Sequence, residues 1–236
     1  PNIVLNTIVA ETFSEAADKL EGSENFAKDC KAYTAKLLKA HYRVIFNYNG
    51  YGPEWEPEAE RRGLLNNKST ADAVPEFFRQ ENIDVFVKQG VYTKSEALAR
   101  ANIQLENYVK TILIEARTML DMAKKQIYPA VSAYVGKLCG NLAVKKAVAA
   151  DLPCRSETAL VKTLSAANDA MMAAVNKLEG DMKDIPEGVK EASQRMAHAV
   201  VPDMEEIRRL ADGMEMLCAK EYWPFPTYTE LLFGIV

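Results

Sequence analysis

The longest regular pattern of apolar and polar positions runs from Thr93 to Tyr128, and no Gly or Pro interrupts it before Pro129. At about 100° per residue its apolar side chains fall on one face, as in an amphipathic helix. The pattern predicts one helix of about 36 residues, roughly 54 Å long. Its apolar face consists of Leu98, Ala101, Leu105, Tyr108, Val109, Ile112, Leu113, Ala116, Met119, Leu120, Ala123 and Ile127.

Both ends of this helix carry local signals. Thr93 is a suitable N-cap, and Glu96 follows it at the spacing that a capping box requires. At the other end Pro129 cannot donate an amide hydrogen to the Lys125 carbonyl, so we expect a kink there. The apolar pattern resumes after Pro129 and predicts that the helix continues to about Lys145.

Three apolar residues of the long helix, Ile103, Ile114 and Met122, lie outside its main face. An apolar surface this wide predicts contacts on two sides, one with the chain's own bundle and one with a further domain or subunit. Glu115 has apolar neighbours, so it is a candidate for a partly buried carboxylate with a raised pKa. The other interpretation, which we favour, is a position at the edge of the stripe that reaches solvent.

Two more apolar stripes predict the rest of a bundle. Ser156 is expected to cap a helix with heptad spacing, and Glu187 to open a last long helix with a bend at Pro202. Because Pro186 and Gly188 leave only a short loop between them, the two helices should be antiparallel. The predicted fold is therefore all-α, an antiparallel helical bundle built on the long helix. The first stripe is Leu160, Leu164, Ala167, Met171, Val175, Leu178 and Met182; the second is Val189, Ala192, Met196, Val200, Ile207, Leu210, Met214 and Leu217.

Short helices and loops are predicted on the N-terminal side. A first helix should run from Asn2 to Leu20 and end at Gly22, and a second should start after Ser23 and reach about Asn47. Shorter helices are expected at residues 58–62, 70–78 and 82–89. The apolar side of the first helix is assigned to Ile3, Val4, Ile8, Val9, Ala16 and Leu20.

The segment 47–57 is predicted to be a loop, because it holds two Gly, two Pro and two Asn. Tyr48, Tyr51 and Trp55 are large amphipathic side chains, and we expect them to pack onto other parts of the protein. The two glycines match neither the G-x-G-x-x-G pattern nor a P-loop, so the segment predicts no phosphate site.

The last segment, residues 222–236, is a tail broken by Pro224 and Pro226, which exclude a helix around them. Its apolar content is too high for free exposure to water, so we expect it to dock on its own bundle or on a neighbouring chain. The apolar residues are Trp223, Phe225, Tyr228, Leu231, Leu232, Phe233 and Ile235.

Composition narrows the class of protein. The chain has 236 residues, 48% of them hydrophobic, which suffices for one large core or two modest ones. A net charge of -4, with no strongly basic half, argues against nucleic acid as a partner. No apolar run reaches about 18 residues, so no membrane span is expected, and the short apolar start lacks the basic leader of a signal peptide. Four widely spaced cysteines predict reduced thiols in a cytoplasmic protein: Cys30, Cys139, Cys154 and Cys218.

Residues typical of catalysis are sparse. His41 and His198 belong to no H-E-x-x-H motif or Cys/His cluster, which argues against a zinc site. Neither has a carboxylate three residues before it, so the E-x-x-H pairs of di-iron bundles are missing. No Ser lies in a nucleophile elbow. We therefore assign no catalytic, cofactor-binding or metal-binding residue, and the residues by themselves predict packing and interaction.

Four stretches combine uncommon residues at fixed spacing. They read PNIVLNTIVAE at the start, FNYNGYGPEWEPEAERRGLLN from Phe46, ENYVKTILIEARTMLDMAKKQIYPAV from Glu106 and WPFPTYTELLF from Trp223. In this order they resemble the C-terminal region of type III glutamine synthetase. The loop departs from the family pattern at Tyr48 and at Gly52-Pro53, where family members tend to have Gly and a Ser-Asp pair.

The resemblance implies an organisation and an activity. Residues 1–90 would be the end of a catalytic domain, and residues 91–236 a helical C-terminal extension with a docked aromatic tail. The family's metal-binding Glu, substrate-binding Arg and ATP-binding residues precede PNIVLNTIVAE, so this portion alone is expected to be inactive and to bind neither ATP nor Mg. The intact cytoplasmic enzyme would join ammonia to glutamate with ATP and Mg, through a γ-glutamyl phosphate.

The resemblance also implies partners: the remainder of the catalytic domain, and further copies in two stacked hexameric rings. The alternative is a self-standing helical interaction module without catalytic activity. A bundle that binds a ligand of its own is a third possibility, and no residue in the sequence supports it.

Overall fold

The structure, a computed structural model, describes residues 2–234 except for the side chain of Tyr228. The described part of the chain is helical and contains no strand, which confirms the all-α prediction. It divides into two compact units, an N-terminal unit of residues 1–105 and a C-terminal unit of residues 106–236.

The N-terminal unit is built from short helices joined by turns. Gly22, Gly63 and Gly90 follow three of these helices with φ of 80°, 66° and 66°, a left-handed conformation that favours glycine and ends a helix. The helices are α1 (Asn2–Leu20), α2 (Phe26–Ala40), α3 (Trp55–Arg61), α4 (Thr70–Ala73) and α5 (Gln80–Lys88), with 3₁₀ turns at Tyr42–Val44 and Val74–Phe78.

The predicted bounds of α2 are wrong at both ends. Asn25, not Ser23, is the N-cap, because its side chain accepts the Lys28 amide at 3.2 Å while the Ser23 hydroxyl donates to Asp29 at 2.6 Å. The helix ends at Ala40, well before Asn47. Beyond it the 3₁₀ turn Tyr42–Val44 leads to an extended Ile45, whose carbonyl accepts a hydrogen bond from Arg62.

Helix α3 begins at Trp55, three residues earlier than predicted. Pro57 lies in its first turn, where the missing amide hydrogen costs no intrahelical bond. A proline in this position is therefore compatible with the helix, and the loop is shorter than the composition of residues 47–57 indicates.

The long helix is confirmed and is longer than predicted. It comprises α6 (Lys94–Met122), a π-helical turn (Ala123–Ile127) and α7 (Tyr128–Val148), together 55 residues. The predicted capping box is present, since the Glu96 carboxylate accepts the Thr93 amide at 2.8 Å and the Thr93 hydroxyl accepts the Glu96 amide at 3.3 Å.

The irregularity expected at Pro129 takes the form of the π-helical turn. The Tyr128 amide donates to the Ala123 carbonyl, five residues back, instead of the usual four. This wider turn directly precedes the proline that has no amide hydrogen to offer. The helix therefore passes Pro129 without ending.

The C-terminal unit is the predicted bundle. Helix α8 (Arg155–Asp181) packs against α7 and against α10 (Val201–Glu215), and α9 (Val189–Arg195) leads into α10 through a second π-helical turn (Met196–Val200). Ser156 is not the N-cap of α8; Cys154 is, without a capping side chain. Both predicted stripes supply the core, whose fully enclosed side chains include Val131, Leu164, Met171, Val175, Leu178, Met196, Val200, Ile207 and Met214.

Candidate functional site

Helix α1 packs on the N-terminal unit through small and polar side chains. Thr7 is its one buried residue, and its hydroxyl donates to the Ile3 carbonyl at 2.7 Å. Glu11 accepts hydrogen bonds from Lys88 at 2.5 Å and Gln89 at 2.6 Å, both at the end of α5. The hydrogen bonds from Lys88 and Gln89 lower the pKa of Glu11. The face of α1 that contacts its own unit is therefore its less apolar face.

The apolar face of α1 is exposed instead. Leu5, Val9 and Phe13 recur every four residues, and 60%, 51% and 70% of these residues are accessible to solvent. We call these three residues the α1 stripe. Side chains at this spacing lie above one another on one side of a helix and form a continuous apolar surface. Of the residues expected on the apolar side of α1, Ile3, Ile8 and Val9 are exposed, whereas Val4, Ala16 and Leu20 are partly buried.

A groove continues this exposed surface. It has a volume of about 770 Å³ and is lined mainly by apolar side chains, among them Val4, Leu5, Val74 and Phe77. Arg100 also lines it, with its guanidinium 4.7 Å from the centre of the Tyr92 ring. Contiguous apolar surface of this kind marks a site of interaction with another protein segment.

The segment 47–57, which we call the aromatic loop, is packed at its base near Phe46 and Trp55 and exposed at its tip near Tyr51. Phe46 packs against Trp55 and Tyr48, with ring centres 4.6 and 5.6 Å apart. The Tyr51 amide donates to the Asn49 side chain at 3.0 Å, and the Tyr51 side chain is fully exposed. The expectation that all three large aromatic residues pack is therefore met by Trp55; Tyr48 contacts Phe46 but remains 81% exposed, and Tyr51 does not pack.

Sequence reasoning missed Phe46 and Arg62, which organise this loop. Arg62 lies over the Phe46 ring and donates to the Ile45 carbonyl at 2.6 Å, while its Nε bonds to Glu58 at 2.5 Å. Hydrogen bonds from Arg61 and Arg62 lower the pKa of Glu58 to about 2. The signal was the pair of arginines at the end of α3, three and four residues after Glu58, but the other partners of Arg62, Phe46 and the Ile45 carbonyl, lie earlier in the chain.

The candidate chemical residues are not assembled into a site. Glu115 is exposed, which excludes the buried carboxylate interpretation, and His41 and His198 are exposed as well. Within residues 2–234, no group of three or more His, Cys, Asp or Glu side chains could hold a metal ion. The described helices also include none long and apolar enough to cross a membrane.

The long helix keeps part of its second apolar side open. Ile103 and Ile114 are exposed, whereas Met122 is partly buried. The prediction that these residues lie outside the main packed face is thus correct for the two isoleucines.

The tail packs with its first half and exposes its second half. Trp223 and Phe225 lie against the bundle core, and Tyr222 packs on Tyr134 with ring centres 5.1 Å apart. A short helix, α11 (Tyr228–Phe233), follows; a capping box of Thr227 and Glu230 starts it, and Lys220 pairs with Glu230 at 2.5 Å. Its exposed apolar residues are Leu231, Leu232 and Phe233, and Ile235 lies outside the described residues.

These features define a helical region whose prominent surfaces are apolar, and whose described residues contain no metal-binding or catalytic cluster. Comparison with known proteins gives the family. Residues 29–146, half of the chain, match the glutamine synthetase C-terminal domain. The chain belongs to the glutamine synthetase family.

Individual relatives agree with the family match. A glutamine synthetase of Butyrivibrio fibrisolvens is 38% identical over 208 residues, which cover 87% of this chain and 30% of that protein. A type-3 glutamine synthetase of Dictyostelium discoideum is 28% identical over 244 residues, covering 99% of this chain and 33% of the relative. A glutamine synthetase of Bacteroides fragilis is 29% identical with similar coverage. The resemblance to the C-terminal region of type III glutamine synthetase is confirmed, and the chain spans about a third of the length of these relatives.

Proposed function

We propose that this chain is the C-terminal portion of a glutamine synthetase and that its role in that enzyme is structural. The intact enzyme would join ammonia to glutamate in the cytoplasm, with ATP and Mg, through a γ-glutamyl phosphate. The support is that nearly the whole chain aligns with about a third of each relative, and that each of these is named a glutamine synthetase.

The observation that carries the proposal is the exposed α1 stripe. Full burial of a side chain such as Leu, Val or Phe contributes about 1.5–3 kcal/mol, so leaving three of them in water on one helix is unfavourable. We assign the covering surface to the remainder of the catalytic domain, with residues 1–90 as the end of that domain. The remainder of the catalytic domain would also fill the groove beside Leu5.

The chemistry would take place outside this chain. We assign none of its residues to catalysis, to ATP or to Mg, and we expect the chain alone to be inactive. Binding of ATP to the isolated 236-residue chain, measured by calorimetry, would contradict this assignment.

Residues 91–236 would form a helical extension that supports assembly. The exposed Leu231, Leu232 and Phe233 on a capped helix, together with the open Ile103 and Ile114, supply apolar surface for contacts between copies. We propose that these surfaces contribute to a homo-oligomer of the kind the family resemblance implies, two stacked hexameric rings.

A charge placed in the α1 stripe of the full-length enzyme tests the proposal. Val9→Asp combined with Phe13→Asp should impair folding of the catalytic domain and abolish glutamine formation. The matched control is Lys19→Asp, an exposed position on the same helix outside the four-residue series of the stripe, which changes the net charge by the same amount and should leave activity intact. Full activity of the stripe variant would refute a covered α1.

The coding sequence before Pro1 separates this proposal from its alternative. An open reading frame with several hundred further residues is the expected result. A start codon directly before Pro1 would instead favour a self-standing helical interaction module.

A further inference from the structure

The helical segment from α9 to α10 contains a π-helical turn, Met196–Val200, just before Pro202. The Val201 amide donates to the Met196 carbonyl, five residues back. Turns of this kind are rare inside helices and often lie at functional positions. The second π-helical turn of the C-terminal unit is therefore a candidate for a conformational device.

A chain of charged side chains spans this turn. Arg195, the residue before the turn, places Nη2 at 2.8 Å from Asp181 Oδ1. Lys177 Nζ lies 3.1 Å from Asp181 Oδ2 and also pairs with Asp203 Oδ1. Since Asp203 follows the turn and Asp181 and Lys177 belong to α8, both ends of the turn are tied to the end of α8.

Asp203 differs from the other charged residues of this network in its burial. It is 7% exposed, and its Oδ2 has no hydrogen-bond partner among the described atoms. An ionised carboxylate at this buried position loses its hydrogen bonds to water, and protein hydrogen bonds do not replace all of them. Burial therefore favours the neutral form of Asp203.

The neighbouring carboxyl group strengthens this preference. Burial raises the pKa of Asp203; Lys177 opposes that shift, and Asp181 adds to it. Hydrogen bonding to Asp203 lowers the pKa of Asp181, and Lys177 lowers it further. The opposite shifts favour protonation of Asp203 before that of Asp181.

The other charged groups nearby have separate partners or are exposed. On the π-helical turn Ala123–Ile127, which also packs against α10, Lys124 pairs with Glu179 of α8. His198, on the turn before α10, is exposed. The groups that face Asp203 are therefore Lys177 and Asp181, with Arg195 acting through Asp181.

We propose that Asp203 is a proton-controlled latch on the π-helical turn Met196–Val200, closed when its own carboxyl group is protonated and loosened when that group is ionised. The proton comes from solvent and bonds to Oδ2 of Asp203. Because the packed state binds this proton more tightly than the open state, the latch contributes most to stability at low pH. That contribution is lost as the pH rises through the pKa of Asp203 in the folded protein.

Hydrogen–deuterium exchange of the full 236-residue chain tests the latch. After correction for intrinsic exchange rates, protection of amides 197–201 should fall as the pH rises from the acid range to neutrality. Asp203→Asn, which keeps the neutral shape, should hold severalfold higher protection than the wild type at neutral pH, with little pH dependence. Asp212→Asn is the control, because Asp212 pairs with the exposed Arg208 on the same helix, and it should follow the wild-type profile.

Two results would overturn the proposal: protection in Asp203→Asn equal to or below that of the wild type at neutral pH, or wild-type protection that does not change with pH. Lys177→Met provides a second route if Asp203→Asn does not fold, as judged by far-UV circular dichroism. In Lys177→Met, the fall in protection of amides 197–201 should occur at higher pH than in the wild type, because Lys177 lowers the pKa of Asp203. A fall at the same pH as in the wild type would also refute the latch.

Discussion

The guanidinium of Arg62 lies 5.4 Å from the centre of the Phe46 ring, and the same side chain donates to the Ile45 carbonyl. This relationship ties α3 to the chain that leaves α2, at the base of the aromatic loop. One partly buried arginine thus joins two segments that are far apart in sequence. The base of the loop is held in this way while Tyr51 at its tip remains exposed.

Arg62→Ala should therefore destabilise the N-terminal unit. The loss of the cation–π contact and of hydrogen bonds to a carbonyl should lower its free energy of unfolding by about 1–3 kcal/mol. Urea unfolding followed by Trp55 fluorescence, in a Trp223→Phe background, measures the effect. Arg61→Ala is the control, because among the described residues the exposed Arg61 bonds to Glu58 alone, and such surface pairs contribute little to stability. Equal effects of the two substitutions would contradict this account.

Glu58 should give the N-terminal unit an acid-dependent stability. Its pKa is lowered from 4.5 to about 2 by hydrogen bonds from Arg61 and Arg62. A lowered pKa means that the ionised form is favoured by folding, so the contribution is complete above about pH 4.5 and disappears as the pH falls through 2. Acid titration of the free energy of unfolding should show a shallower slope in Glu58→Gln. Identical slopes for the two proteins would exclude Glu58 as the source.

The heptad stripe of α8 should dominate the stability of the C-terminal unit. Leu164 is fully buried, so Leu164→Ala should cost about 2–5 kcal/mol through lost burial and a residual cavity. Leu160→Ala, in the same stripe but only partly buried, should cost less. Thermal unfolding monitored by far-UV circular dichroism compares the two, and the reverse order would show that the core is centred elsewhere.

The two halves of the tail should respond differently to substitution. Trp223→Ala removes an aromatic side chain that packs on the core and should destabilise the C-terminal unit by about 3 kcal/mol or more. Phe233→Ser replaces an exposed residue and should leave that stability nearly unchanged. In the full-length enzyme Phe233→Ser should weaken assembly, as measured by sedimentation velocity. An unaltered oligomer would remove α11 from the interface.

The α-helical class, the long helix and the bundle stripes were predictable because they depend on the spacing of apolar residues within a few helical turns. Leu164, Met171 and Val175 recur at heptad spacing, and the structure buries all three. Thr93 and Glu96 form their capping box within one turn, without help from distant residues. Interactions this close in sequence leave a readable pattern.

Other features depended on contacts between distant residues. The segment after α2 is tied to α3 by Arg62, which donates to the Ile45 carbonyl, a contact that no pattern near Ala40 reveals. Glu115 has apolar neighbours in sequence, yet it is exposed, because its place on the helix surface and not its neighbours decides burial. The site itself was missed for the same reason, since an apolar side of α1 was expected but its exposure was not.

The sequence by itself determined which parts of the chain are helical, where Gly22 and Gly90 end a helix and which family the chain resembles, since hydrophobic period and glycine positions act over a few residues. Only the tertiary structure decided which face of α1 packs inward, how Pro129 and Pro202 are accommodated by π-helical turns, and that Asp203 lies buried beside Lys177. The physical reason is that burial is a property of the assembled helices. Leu5 and Leu164 are both leucines on an apolar stripe, and only the surrounding structure exposes one and encloses the other.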